Sequence, residues 1–167
     1  SDPEQPVALH FLGVIAHQRG NNTLAVERIT RALVIKPDYA EAHNNLGTVF
    51  KDLGRLEEAV ASHQKSIAIN PDNANAHFNF GNVLREMGRL DEAVECYNKT
   101  VAIKPDYVEA NCNRGIALQN LGNFDEAEAK YQSTLAIAPG FAKAHYNLGT
   151  LLQQIGRFDE AISSYDL

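Results

Sequence analysis

The glycines of this chain are set at a constant interval. Gly13, Gly47, Gly81, Gly115 and Gly149 stand 34 residues apart, and so do Gly20, Gly54, Gly88, Gly122 and Gly156. These two series hold ten of the eleven glycines. Pro37, Pro71, Pro105 and Pro139 keep the same step, as do Ala25, Ala59, Ala93, Ala127 and Ala161. A period of this length signals one supersecondary unit stacked on copies of itself, since a single unit cannot bury its own apolar face.

Each unit reads as two helices. In the clearest copy the first runs from Ala40 to Leu53 and stops at Gly54. Asp38 and Glu41 are spaced as a capping box at its start. The second runs from Leu56 to about Ile69. It ends at Asn70-Pro71, because a residue before proline resists helical geometry. The fold class is therefore all-α, a series of antiparallel helix pairs.

Glycine inside a helix costs about 1 kcal/mol relative to alanine. The expected compensation is close approach of two backbones, at Gly47–Ala59, Gly81–Ala93, Gly115–Ala127 and Gly149–Ala161. These glycines lie mid-helix, which excludes a phosphate-cradling turn.

The period, the Leu46-Gly47 pair, Phe50, Ala59 and Pro71 resemble the tetratricopeptide repeat, as do Leu148-Gly149, Leu152, Ala161 and Tyr165. The resemblance covers Pro6 to Leu167, with repeats at 6–39, 40–73, 74–107 and 108–141 and a partial fifth at 142–167. Residues 1–5 form a short polar N-terminal extension. The resemblance implies a right-handed superhelical solenoid whose first helices line a concave groove. It also shows departures. His43, His77 and His145 stand where the family often has tryptophan and are expected to pack there. Arg114 takes the place of an apolar residue, and Phe11 that of an asparagine.

Net charge is −6. Phosphate binding needs a basic stripe, so nucleic acid is not the expected partner. Eight of the 21 acidic residues sit in pairs at the starts of second helices (Glu57-Glu58, Asp91-Glu92, Asp125-Glu126, Asp159-Glu160), where the helix dipole favours them. No apolar run is long enough to span a membrane. Cys96 and Cys112 make no disulfide framework and point to free thiols in a reducing, cytoplasmic setting. The histidines lack metal-ligand spacing and no catalytic triad is legible, so no cofactor and no enzymatic activity are expected.

On a helical wheel of about 100° per residue, Ala42, His43, Leu46, Gly47, Val49 and Phe50 share the packing side of the first helix. Asn44, Asn45 and Thr48 fall on the other. The same side of later copies carries Phe78, Asn79, Asn82 and Arg85, then Cys112 and Asn113, then Lys143, Tyr146 and Asn147. The first copy places His10, Phe11 and His17 there. Asn45, Asn79, Asn113 and Asn147 thus form a ladder. A primary amide has two donors and one acceptor oxygen, so four rungs could grip an extended peptide by its backbone, with Phe78 and Tyr146 as anchors. The same amides could equally hydrogen-bond within the array.

The reading that follows is a protein- or peptide-binding module. Two alternatives stand beside it. The run from Ala42 to Leu84 is similar to the repeat region of O-linked N-acetylglucosamine transferases, which implies a substrate-recognition array of a larger enzyme. The stop at "SSYDL" leaves an apolar end, which suggests a self-associating scaffold or a longer array. The lysine–arginine–asparagine clamp that some tetratricopeptide domains use for acidic chaperone tails is matched only in part, by Lys143, Asn147, Asn113 and Asn82. Phe78 stands in a lysine place, so that use is not expected.

Overall fold

A computed structural model describes residues 5–166. Ten helices follow in order: α1 Pro6–Gln18, α2 Asn22–Ile35, α3 Ala40–Asp52, α4 Leu56–Ile69, α5 Ala74–Glu86, α6 Leu90–Ile103, α7 Val108–Asn120, α8 Phe124–Ile137, α9 Ala142–Gln154 and α10 Phe158–Tyr165. The described residues contain no strand.

The chain divides into two compact units, Ser1–Val83 and Leu84–Leu167. In the first, α1 packs on α2, α3 on α4, and α2 and α1 on α3. Its core is built from Leu9, Ala25, Ile29, Leu46, Val49, Phe50 and Ala59. In the second, α7 packs on α8 and α9 on α10, with α6 against α7 and α8 against α9. Tyr131, Leu118, Leu148, Leu151, Leu152, Ala127 and Ala144 form its core, flanked by Phe124, Ile116 and Phe141. On α10, Phe158 and Ile162 remain exposed.

The helix-ending glycines do what their spacing suggests. Gly54 has φ of 71°, a left-handed conformation that side chains resist. There the Gly54 N–H donates to the Lys51 carbonyl at 2.8 Å and the Arg55 N–H to the Phe50 carbonyl at 2.9 Å. This reversed pair closes the helix end and turns the chain into the next helix.

The mid-helix glycines give a different answer from the one expected. A methyl at Gly47 would meet the His63 ring at 2.7 Å, one at Gly115 the Tyr131 ring at 2.6 Å, and one at Gly149 the Tyr165 ring at 2.6 Å. The room goes to a ring four residues beyond the alanine, not to Ala59, Ala127 or Ala161. One helical turn separates the two positions, so both face the first helix. The small alanine lets the helices close, and the following ring fills the notch above the glycine. Gly13 comes nearer to the expectation: its neighbours are the Ile29 side chain at 2.5 Å and the Ala25 carbonyl oxygen at 3.1 Å.

The capping box at Asp38 does not form. Tyr39 is the N-cap of α3, and no side chain caps it, so Asp38 lies one residue too early. Among the second helices, α2 starts on Asn21, whose side chain caps the Leu24 N–H, α8 starts on Asn123, and α4, α6 and α10 start on arginine. Arg55 pairs with Glu58, Arg89 with Glu92 and Arg157 with Glu160, each one turn on.

Candidate binding faces

The first helices carry their polar side chains in two rows of contacts. Asn45 Nδ2 donates to His10 Nε2 at 2.8 Å, Asn79 Nδ2 to Asn44 Oδ1 at 3.3 Å, and Asn147 Nδ2 to Cys112 Sγ at 3.6 Å. Two turns further along, His17 Nε2 meets Asp52 Oδ2 at 2.8 Å, and Gln119 Nε2 donates to Gln154 Oε1 at 3.0 Å. Every one of these pairs is 35 residues apart, not 34. Consecutive residues differ by about 100° around a helix, so the two flanks of one first helix belong to adjacent positions. Asn45 faces back to α1, and Asn44 faces forward to α5.

That geometry corrects the wheel. Asn44 does not face outward: it is buried, and its Oδ1 also lies 3.1 Å from His63 Nδ1. Asn113 and Cys112 are buried too. Asn113 Oδ1 accepts from Lys143 Nζ at 2.8 Å, and burial raises the Cys112 thiol pKa. The wheel fails because it assigns one packing side to a helix that packs on three neighbours. Among the described rungs, the amide is committed to the preceding or following first helix.

The other sequence-chosen residues lie as follows. Asn45, Thr48, Phe78, Asn79 and Asn82 are half-buried in the first unit. Thr48 Oγ1 donates back to the Asn44 carbonyl at 3.3 Å. In the second unit Arg85 is half-buried beside Tyr97, whose pKa burial raises against the nearby guanidinium. Tyr146 is 64% exposed, with the Tyr165 ring 6.0 Å away. Asn147 is half-buried.

His10 and Phe11 lie on this face too, and nothing in the sequence assigns them a role. His10 is buried, and its Nδ1 bonds the Tyr39 hydroxyl at 3.0 Å. Burial lowers its pKa, with Glu41 opposing. The Asn45 amide nitrogen can only donate, so Nε2 is the acceptor in that pair. Phe11, one residue on, is 57% exposed. Asp52 is pushed up by burial, but hydrogen bonds from Lys51 and His17 outweigh this and hold its pKa below the ordinary value. The spacing of 35 between polar residues was the signal available for these pairs.

The histidines at the tryptophan place do more than pack. Nε2 of His43, His77 and His145 lies 2.8, 2.8 and 2.7 Å from the carbonyls of Pro37, Pro71 and Pro139. Each ring donates to the loop that enters its own helix and ties that loop down. Among the described residues no group of histidine, cysteine and carboxylate side chains could hold a metal ion, and no helix is long and apolar enough to cross a membrane.

Substituting Asn45 by alanine is expected to cost about 1 kcal/mol, the net worth of one hydrogen bond plus a lonely acceptor on His10. Chemical denaturation of the variant measures it. No change would mean that water replaces the rung without cost.

Among the described residues, paired helices, glycine notches at one position of the repeat and inter-repeat amide contacts describe a repeat protein. A family model described as TPR repeat matches residues 13–54, 47–88 and 81–122, and a second, described as Tetratricopeptide repeat, matches residues 112–167. The chain belongs to the tetratricopeptide repeat family. Solved tetratricopeptide structures agree in fold. MamA from Desulfovibrio magneticus RS-1 superposes with a TM-score of 0.90 at 18% identity, covering 99% of this chain and 93% of its own. PilF from Pseudomonas aeruginosa gives 0.87 at 24% identity, with coverages of 96% and 73%. YrrB, described as a TPR protein with an unusual peptide-binding site, gives 0.81 at 21% identity, covering 99% and 85%. No curated protein matches the chain.

Proposed function

We propose that this tetratricopeptide protein binds flexible segments of partner proteins on the first-helix faces of its two units. The observation that carries this reading is the exposure of Phe11 and Tyr146 on faces whose polar neighbours are already bonded to one another. Phe11 follows the buried His10, which accepts from Asn45, and Tyr146 follows the buried His145 and precedes the rung Asn147. The helices hold each ring rigidly, so little side-chain entropy is lost when a partner covers it. Aromatic rings in such settings are the usual energetic anchors of interfaces.

The ladder plays a narrower part than the sequence suggested. One amide donor of Asn45, of Asn79 and of Asn147 is spent inside the protein. The second N–H is what remains to meet a peptide backbone, so the rungs set register and the rings supply most of the binding energy. Burying one ring is worth about 1.5–3 kcal/mol, or about ten- to a hundredfold in Kd.

The test is a peptide array probed with the purified protein, followed by titration of a bound sequence. Phe11→Ala or Tyr146→Ala is expected to weaken a peptide bound to that face by at least about tenfold, with an unchanged melting temperature. Full affinity in both variants would overturn the reading.

A further inference from the structure

Neighbouring second helices leave a groove between them, floored by the first helix of the later hairpin. In the first unit it runs between α2 and α4 over α3 and encloses about 680 Å³. Leu33, Val34, Leu46 and Phe50 line it, with Thr30 and Glu58 toward one end and Lys65 further along α4. Val34 is 77% exposed. This groove lies on the opposite side of α3 from Asn45 and Thr48.

In the second unit an arginine reaches the preceding second helix at both equivalent places, Arg114 from α7 and Arg157 from the start of α10. Over α7, Arg114 takes the place that Leu46 has over α3. Its Nη1 donates to Asn98 Oδ1 at 2.9 Å, at the position of Thr30. Burial lowers the Arg114 pKa, and Glu126, at the position of Glu58, opposes that shift. At the start of α10, Arg157 links α10 to α8 beside the groove over α9: Nη1 donates to Glu128 at 2.6 Å while Nη2 holds Glu160 at 2.5 Å. The space left there is about 340 Å³. Arg55 is the counterpart of Arg157 in the first unit, but Val26 stands where Glu128 would receive it. Arg55 therefore stays on Glu58 and rests 4.5 Å from the centre of the Phe50 ring.

Over α7 the protein thus places a half-buried arginine where α3 has Leu46, its guanidinium held at a polar rim. We infer that the α2–α4 groove binds a partner peptide through an arginine, its stem on Leu33 and Leu46 and its guanidinium between Thr30 and Glu58. A carboxylate offers about four lone-pair sites, so Glu58 can serve Arg55 and a ligand together. The long stem gains by covering apolar surface while its charge stays at the rim, and the planar fork suits a carboxylate. Glu58 and Lys65 are about 10 Å apart along α4. That spacing selects an acidic residue roughly three positions from the arginine in an extended peptide.

A phage-displayed library of random dodecapeptides, selected on the purified protein, tests this. Enriched peptides should pair arginine with an acidic residue about three positions away. The Leu46→Arg/Thr30→Asn variant copies the filled groove over α7 and should abolish their binding. Val34→Lys alters only an exposed side chain and should weaken it at least about tenfold. Phe11→Ala should leave it unchanged, which separates this groove from the first-helix faces. Failure to enrich any peptide, enrichment without arginine, or full binding by both groove variants would overturn the inference. So would a dimer that Val34→Lys turns into monomer, since the groove would then serve a second copy.

Discussion

Replacing Gly115 by alanine is expected to destabilise the protein by about 2 kcal/mol. The substitution improves helix propensity by about 1 kcal/mol, so the loss must come from packing. The new methyl would lie 2.6 Å from Tyr131 Cε1 and 2.9 Å from Cδ1. Tyr131 is fully buried, and its hydroxyl donates to Gln119 Oε1 at 2.9 Å. Packed on its face and tethered at its tip, the ring has nowhere to go. Overpacking of this kind costs up to about 3 kcal/mol, which exceeds the propensity gain. Thermal unfolding should fall by roughly 4–8 °C.

Gly149→Ala is the internal control. Its methyl would meet the Tyr165 ring at the same 2.6 Å, yet Tyr165 is 44% exposed. That ring can swing outward, so the propensity gain survives and the variant should be nearly neutral. Equal behaviour of the two variants would show that ring confinement is not what the glycine serves.

The second large effect is loss of stability on acidification, carried by His63. Its ring fills the notch over Gly47, fully buried, where the notches over Gly115 and Gly149 hold Tyr131 and Tyr165. Nδ1 lies 3.1 Å from Asn44 Oδ1, while Nε2 is buried with no hydrogen-bond partner. A proton on Nε2 would have nothing to donate to. Burial, with Lys51 adding, pushes the pKa from 6.5 down to about 4. Between these values the unfolded chain takes up a proton that the folded chain refuses. The contribution is therefore complete above pH 6.5 and is lost as pH falls toward 4. Its full size is roughly 3 kcal/mol.

His10, also lowered by burial, acts in the same direction. Asp52, held below 3.8, loses its contribution only in stronger acid. His63→Tyr separates these terms. It supplies the ring that the notches over Gly115 and Gly149 hold and removes the titrating group, so the fall between pH 7 and 4.5 should flatten. Guanidinium denaturation at the two pH values measures this. An unchanged acid dependence in His63→Tyr would assign it elsewhere.

Much of the fold could be read from residue types alone. The helix from Leu56 to Ile69 was legible, because Gly54 before it and proline after Asn70 bracket it. The glycine series marked both the hairpin turns and the notches. The partner of each notch was misassigned, because Ala59 and His63 lie on the same face of α4 and sequence cannot say which one reaches the glycine. Exposure along the candidate faces was only partly legible. Tyr146 is as open as expected, whereas Asn44, Cys112 and Asn113 are buried.

The 34-residue period, the punctuation by glycine and proline, and the alternation of two helix types were determined by the sequence itself. They depend on backbone preferences within a few residues, and those preferences act before any tertiary contact exists. Which side chains remain available to a partner was decided only by the tertiary structure. A first helix packs on its own second helix and on a neighbour at either flank, and that stacking advances contacts by 35 residues while the sequence repeats every 34. This single-residue offset turns Asn44 inward, spends one donor of each of three asparagine rungs on a neighbouring helix, and leaves Phe11 and Tyr146 standing clear.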